Sequence, residues 1–161
     1  MKQYIGTKIV HAQPAFKATG VRKDCKVANQ VLTHEQLEDC KASGWEFTDQ
    51  KEGYEVRYAD GYMSWSPKDV FEDAYRQTDA MNFGLAIEAM KKGYRVARKG
   101  WNGKGIYLEL QVPDEHSKMT LPYIYIVTNG LITYNPHAPK GCVPWLASQT
   151  DMLADDWYIV E

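Results

Sequence analysis

Two glycine-containing turns constrain this chain to antiparallel β-sheet more strongly than any other feature of its sequence. Asp60-Gly61 and Asn129-Gly130 are dipeptides that favour the tight turn of a β-hairpin. Each dipeptide lies between two short segments rich in aromatic and β-branched residues. These segments are Tyr54–Tyr58, Tyr62–Trp65, Tyr123–Val127 and Leu131–Tyr134. The sequence therefore predicts one hairpin in each half of the chain.

Helix-capping patterns predict a helix in each half as well. Thr33 and Gln36 have the spacing of a capping box, in which each side chain accepts a hydrogen bond from the other residue's backbone N–H. Gly44 suits the C-terminal end of that helix. Asn82 can cap a second helix, which Gly93 ends. The apolar residues of this second helix recur at helical spacing: Phe83, Ala86, Ile87 and Met90.

Alternating residues predict further strands and complete the expected organisation. The predicted strands are Tyr4–Ala12, Tyr94–Arg98, Ile106–Val112 and Trp157–Val160. The polar stretch 77–80 separates two modules, a small α+β module over residues 1–77 and a second module over 81–161. The fold class is therefore α+β, and the second module is expected to be a helix packed on a mostly antiparallel sheet.

Charge and composition restrict the classes of partner. The formal net charge is −2 and the pI about 6.1, so the chain has no general attraction for nucleic acid or for an anionic membrane. No apolar run approaches the roughly 20 residues that span a bilayer. Cys25, Cys40 and Cys142 have no CxxC spacing and are expected to be free thiols of an intracellular protein.

The sequence contains no recognisable catalytic or metal-binding constellation. Its histidines lack the spacing of metal ligands and are His11, His34, His116 and His137. The adjacent carboxylates of Asp155 and Asp156 would point apart, and we expect both to be solvated. These observations predict no metal, no cofactor and no catalytic residue, although an enzyme can distribute its residues across a fold.

A cluster of basic residues surrounds Trp101. No acidic residue interrupts it between Glu88 and Glu109, and its members are Lys91, Lys92, Arg95, Arg98, Lys99 and Lys104. Arg and Lys can contact phosphate oxygens, Trp101 can stack on a base, and Asn102 can donate and accept hydrogen bonds. This combination suits a nucleotide with a pyrophosphate. The alternative is a glycine-rich hairpin with solvated bases and a core tryptophan.

Four segments of the second module, in order along the chain, resemble the second type of Thoeris anti-defence proteins. They are Met81–Gly93, Val96–Gly103, Leu121–Tyr125 and Val143–Trp157. The first module, through residues 53–68, resembles a small domain common in phage proteins, which assigns it no function.

The resemblance implies a phage protein that acts in the cytoplasm of the infected bacterial host. Such proteins are homotetramers that bind cyclic ADP-ribose isomers of the glycocyclic type, made by TIR-domain enzymes, in pockets between subunits. They hold the signal without cleaving it, and some also bind cyclic oligonucleotides. An enzyme that degrades the same signal and a structural phage protein are the alternatives.

Carried onto this chain, the resemblance implies a set of ligand-binding residues. Trp101 and Trp145 would be aromatic walls, and Arg98 or Lys99 would contact phosphate. The candidates for ribose hydroxyls and base edges are Asn82, Gln149, Thr150 and Asp151.

Overall fold

The computed structural model describes residues 7–22 and 25–161, with residues 25–29 described by their backbone alone. The chain divides into two compact units, Met1–Tyr75 and Arg76–Glu161. Each unit combines helices with an antiparallel sheet, which confirms the predicted α+β class.

The first unit is a four-stranded antiparallel sheet with two helices. Its strand order is β2-β1-β3-β4. The elements are β1 (His11–Arg22), β2 (Cys25–Leu32), α1 (His34–Ala42), β3 (Glu46–Arg57), β4 (Met63–Pro67) and α2 (Lys68–Ala74).

Local sequence signals position α1 and the β3–β4 turn as predicted. Gln36 N donates to Thr33 Oγ1 at 3.3 Å, and Thr33 N donates to Gln36 Oε1 at 2.9 Å, so the capping box is complete. In the hairpin, Tyr62 N donates to Asp60 Oδ1 at 3.0 Å, and Gly61 has the positive φ of 85° that the turn requires. Both predictions are confirmed.

The first strand differs from the prediction of Tyr4–Ala12. Residues 4–6 lie outside the described part of the chain, and β1 begins at His11 and continues through Pro14. Pro14 pairs with Tyr54 of β3, whereas β2 pairs with β1 only from Phe16 onward. Proline is tolerated there because no strand on the β2 side requires its missing N–H.

The second unit is a five-stranded antiparallel sheet with a helix on one face. Its strand order is β8-β7-β6-β5-β9. The elements are α3 (Phe83–Lys91), β5 (Arg95–Arg98), β6 (Tyr107–Gln111), β7 (Tyr123–Val127), β8 (Cys142–Pro144), α4 (Gln149–Met152) and β9 (Trp157–Val160).

The core of this unit lies between α3 and the sheet. Ala86 and Met90 of α3 pack into one buried cluster with Val96, Leu108 and Trp157, and these five residues are at most 2% exposed. α3 begins where Asn82 accepts a hydrogen bond from Leu85 N at 2.9 Å, and it ends before Gly93, whose φ is 87°. The predicted cap and apolar helix face are confirmed.

The predicted hairpin at Asn129-Gly130 is wrong in its second strand. Leu131–Tyr134 does not pair with β7, which pairs instead with β8. Thr128 closes the intervening loop, because its N–H donates to Gly141 O at 2.8 Å and its hydroxyl accepts from Gly141 N at 3.0 Å. The chain after Gly130 instead forms an isolated bridge with the segment before β6, in which Ile132 N donates to Lys104 O at 2.9 Å.

Within the described ranges 7–22 and 25–161, the helices are all too short or too polar to cross a bilayer.

Candidate functional site

Four aromatic rings of the second unit form one cluster at the end of the sheet where β5 and β9 pair. Trp157 of β9 is fully buried, and its ring centroid lies 5.3 Å from that of Phe83, 5.4 Å from that of Trp101 and 6.1 Å from that of Trp145. Trp101 and Trp145 are only partly buried, and their centroids are 6.2 Å apart. Trp157 is therefore the buried base of the cluster, and the other two tryptophans are its partly exposed edge.

The indole of Trp101 is held by a hydrogen bond as well as by packing. Its Nε1 donates to Asp151 Oδ1 at 3.0 Å, and its ring meets Trp157 edge-on, with an interplanar angle of 75°. A tryptophan fixed in this way keeps one orientation without a ligand, as a preformed stacking surface requires.

Arg98 is bound between two carboxylates. Its Nη1 donates to Asp151 Oδ1 at 2.8 Å and its Nε to Asp156 Oδ1 at 2.7 Å, while its side chain is only 11% exposed. The hydrogen bond with Asp156 raises the pKa of Arg98. One guanidinium with two carboxylates carries a net charge of −1, which does not favour a phosphate at this point. The proposed phosphate contact of Arg98 stays a prediction, and its position indicates a structural role.

Asp151 joins the short helix α4 to the aromatic cluster. Ser148, the N-cap of α4, donates through its hydroxyl to Asp151 Oδ2 at 2.6 Å and through its N–H to the same oxygen at 3.1 Å. Burial alone would raise the pKa of Asp151, but hydrogen bonds from Ser148, Arg98 and Trp101 outweigh burial and lower it to about 2. In addition, Trp157 Nε1 donates to the Asp151 carbonyl at 3.0 Å. Asp151 is thus an ionised, nearly buried junction of the site.

Asp156 is not the solvated acid that its sequence position predicts. Its Oδ1 accepts from Arg98, and its Oδ2 accepts from Gly100 N at 2.7 Å. The hydrogen bond from Arg98 lowers the pKa of Asp156. Its neighbour Asp155 is exposed as expected. Sequence reasoning missed Asp156 because its partners are 58 and 56 positions away.

The exposed cations beside Trp101 are lysines. Lys99 Nζ lies 3.2 Å from Asp79 Oδ2, and both side chains are more than half exposed. Lys104 Nζ donates to the Lys99 carbonyl at 2.8 Å and is also exposed. Asn102, on the same turn, is exposed as well. Lys99 and Lys104 are therefore more accessible to an anion in solution than Arg98 is.

The remaining predicted site residues lie at the starts of helices. Gln149 and Thr150 are exposed on the first turn of α4, just before Asp151. Asn82 uses its side-chain oxygen to cap α3, and the next residue, Phe83, contacts Trp145 with a centroid distance of 6.1 Å. The structure thus unites Arg98, Trp101, Trp145 and Asp151 around one buried tryptophan. The other predicted residues are arranged along the segments next to them.

The predictions about cysteines and metal ligands concern the described chain as a whole rather than this cluster. Cys40 and Cys142 are free thiols as predicted, and the side chain of Cys25 lies outside the described residues. Across residues 7–22 and 25–161, no three His, Cys, Asp or Glu side chains are grouped as metal ligands.

Comparison with known proteins identifies the second unit. A family described as the Thoeris anti-defense 2-like domain matches residues 81–160. Thoeris anti-defense 2 of Bacillus phage SP01 is 39% identical over 84 residues, which make up 50% of this chain and 94% of that protein. The match covers nearly the whole relative, and the family match over residues 81–160 includes the tryptophan cluster. Through its second half, the chain belongs to the Thoeris anti-defense 2-like family.

Proposed function

We propose that this chain is a phage anti-defence protein that captures a cyclic ADP-ribose isomer of the glycocyclic type. The signal would be made by host TIR-domain enzymes, and the protein would hold it without cleavage in the cytoplasm of the infected bacterium. The observation that carries the proposal is the match to nearly the full length of a protein named Thoeris anti-defense 2.

The site has groups that suit such a ligand. Trp101 and Trp145 are partly exposed rings on which an adenine can stack, and base–aromatic stacking contributes about 1–3 kcal/mol per base. Lys99 and Lys104 offer charge to a pyrophosphate from the turn that carries Trp101. The amide and hydroxyl groups of Asn102, Gln149 and Thr150 are free to reach ribose hydroxyls, because each residue is exposed.

Self-association into a homotetramer, with ligand pockets between subunits, is the second part of the proposal. The second unit exposes large apolar side chains that a neighbouring copy would cover. Its most exposed aliphatic side chains are Val112, Leu121, Ile132, Val143, Leu146 and Leu153, at 55% to 91%, and the ring of Tyr134 is fully exposed. A pocket completed by a second copy would enclose a ligand on more sides than the open tryptophan edge of one subunit.

Calorimetry with glycocyclic ADP-ribose tests the proposal directly. We expect saturable binding by the full chain and, after the complex is heated, chromatographic recovery of the intact ligand. Recovery of a cleaved product would favour the alternative of a degrading enzyme, and absence of binding would reject the site. Parallel titrations with cyclic di- and trinucleotides show whether cyclic oligonucleotide signals are also captured.

A further inference from the structure

Asp156 connects the site to the backbone of the turn that carries Trp101. Its two carboxylate oxygens have different partners, since Oδ1 accepts from Arg98 Nε at 2.7 Å and Oδ2 accepts from Gly100 N at 2.7 Å. In addition, Lys99 N donates to the Asp156 carbonyl at 3.1 Å. A single residue immediately before β9 therefore binds three consecutive residues, from Arg98 at the end of β5 to Gly100 in the turn.

Gly100 leaves the space in which the Asp156 carboxylate lies. A Cβ at this position would lie 2.7 Å from Asp156 Oδ2, which is closer than a carbon and a carboxylate oxygen can pack. The nearest atoms to that Cβ include Arg98 Nη2 at 3.4 Å. The glycine thus lets the carboxylate reach the backbone N–H while it also holds the guanidinium.

Two carboxylates, those of Asp151 and Asp156, connect Trp101 to its surroundings. Asp156 holds Arg98 and Gly100, and Arg98 also donates to Asp151 Oδ1, the atom that accepts from Trp101 Nε1. Asp156 is therefore linked to Trp101 by two routes, one through the backbone of the turn and one through Arg98 and Asp151. Asp156 itself has no direct contact with Trp101 among the hydrogen bonds of the described residues.

We propose that Asp156 is a positioning residue of the ligand site. It preorganises the turn from Lys99 to Gly105 so that the Trp101 ring and the Lys99 amine face an incoming nucleotide in fixed geometry. This inference rests on the proposed function, because positioning has meaning only if the turn binds a ligand. Preorganisation increases affinity by removing the ordering that binding would otherwise require.

Two variants and one control test the proposal in the full-length protein. Asp156→Asn keeps the size of the side chain but leaves a single acceptor oxygen for two donors. Gly100→Ala keeps both charges and moves the carboxylate away from the backbone. Asp155→Asn removes the same charge from the adjacent, exposed position and is the matched control.

We expect both variants to bind glycocyclic ADP-ribose about tenfold more weakly or worse, as loss of preorganisation predicts. Asp155→Asn should bind like wild type. In nuclear magnetic resonance spectra, the Trp101 indole N–H should shift in both variants, and the Gly100 amide should shift in Asp156→Asn. The Trp157 indole N–H, which donates to the Asp151 carbonyl, should stay in place.

The outcomes separate this inference from the proposed function. Wild-type protein that does not bind the ligand would reject the proposed function, and the positioning role with it. Wild-type binding together with unchanged affinity in Asp156→Asn and Gly100→Ala would overturn the positioning role alone. A lower melting temperature, a shifted Trp157 resonance and normal affinity of the folded protein would show that Asp156 only stabilises the fold.

Discussion

Trp101 donates its indole N–H to Asp151 across 50 positions of sequence, at a distance of 3.0 Å between Nε1 and Oδ1. The same ring is partly exposed and lies edge-on to the buried Trp157. Trp101 therefore belongs both to the rim of the core and to the surface that we propose for ligand binding. We expect replacement of Trp101 to lower both stability and affinity. The loss of stability should be smaller than for a fully buried tryptophan, and the loss of affinity larger.

Parallel alanine variants of Trp101 and Trp157 should separate the two roles. Trp101→Ala should weaken binding of glycocyclic ADP-ribose by roughly tenfold or more, because it removes a stacking surface worth about 1–3 kcal/mol. Trp157→Ala should lower the free energy of unfolding by about 3–5 kcal/mol, since its ring is fully buried. Trp101→Ala should lose less stability than that. Thermal melts and calorimetry are measured on both variants. If Trp101→Ala melts at as low a temperature as Trp157→Ala and still binds the ligand normally, Trp101 belongs to the core alone.

Acid should destabilise the second unit through Asp151. The folded-state pKa of this carboxyl is about 2, below the value of about 3.9 for an unfolded aspartate. A lowered pKa gives stability that is fully present above pH 4 and is lost as the pH falls from about 4 to about 2. The difference corresponds to about 2–3 kcal/mol. Unfolding measured from pH 6 to pH 2 should show this loss, and Asp151→Asn should be less stable than wild type at pH 6 but approach it near pH 2. If the difference in unfolding free energy between wild type and Asp151→Asn does not decrease toward pH 2, Asp151 is not the ionised group that we describe.

Local interactions explain which parts of the fold could be read from the sequence. The Thr33 capping box, the Asn82 cap and the Asp60-Gly61 turn each depend on residues within three positions of one another. Such interactions depend little on distant residues, so all three were predictable from the sequence. The strand expected at Leu131–Tyr134 failed because a distant segment competed for the same edge of β7. The Thr128–Gly141 hydrogen bonds favour pairing of β7 with β8. The residues of the expected hairpin do not indicate these hydrogen bonds, because Gly141 lies outside it.

The residue types of the Trp101 turn are visible in the sequence, but the hydrogen-bond partners of those residues are not. The spacing of Arg98, Lys99 and Trp101 indicated an anion-binding turn with a stacking ring. Whether a cation faces solvent or a carboxylate depends on Asp151 of α4 and on Asp156 just before β9, more than 50 positions later. Asp156 therefore appeared solvated in the sequence although it binds Arg98 in the structure. Family resemblance indicated the segment that carries Arg98 and Lys99, but only the fold shows that Arg98 lies between two carboxylates whereas the Lys99 side chain is more than half exposed.

Removal of the Asp79 carboxylate should strengthen binding if Lys99 contacts phosphate. Asp79 Oδ2 lies 3.2 Å from Lys99 Nζ, so a ligand phosphate must compete with it. Exposed ion pairs of this kind are weak, and we expect Asp79→Asn to increase affinity for glycocyclic ADP-ribose by no more than about fivefold. Lys99→Ala should decrease affinity, and Asp79→Asn should then have no further effect in the Lys99→Ala background. Calorimetry at low and high salt measures each variant, and an Asp79 effect that persists without Lys99 would contradict direct competition.

The second unit should fold and bind ligand without the first, and the segment just before Met81 should determine how stable that fragment is. Thr78 O accepts a hydrogen bond from Ile159 N at 3.0 Å, and Asp79 pairs with Lys99, so residues 76–80 extend the contacts made by β9 and the Trp101 turn. A fragment of residues 76–161 retains these contacts, whereas a fragment of residues 81–161 loses them. Because one backbone hydrogen bond contributes about 0.5–1.5 kcal/mol, the shorter fragment should melt roughly 2–12 °C below the longer one. Both fragments should bind glycocyclic ADP-ribose, since every predicted site residue lies at or after Asn82. Gel filtration followed by thermal-shift titration of the two fragments and the full chain tests this directly. If both fragments aggregate, the second unit does not fold independently of the first. If both fragments fold but do not bind a ligand that the full chain binds, the first unit contributes to the site.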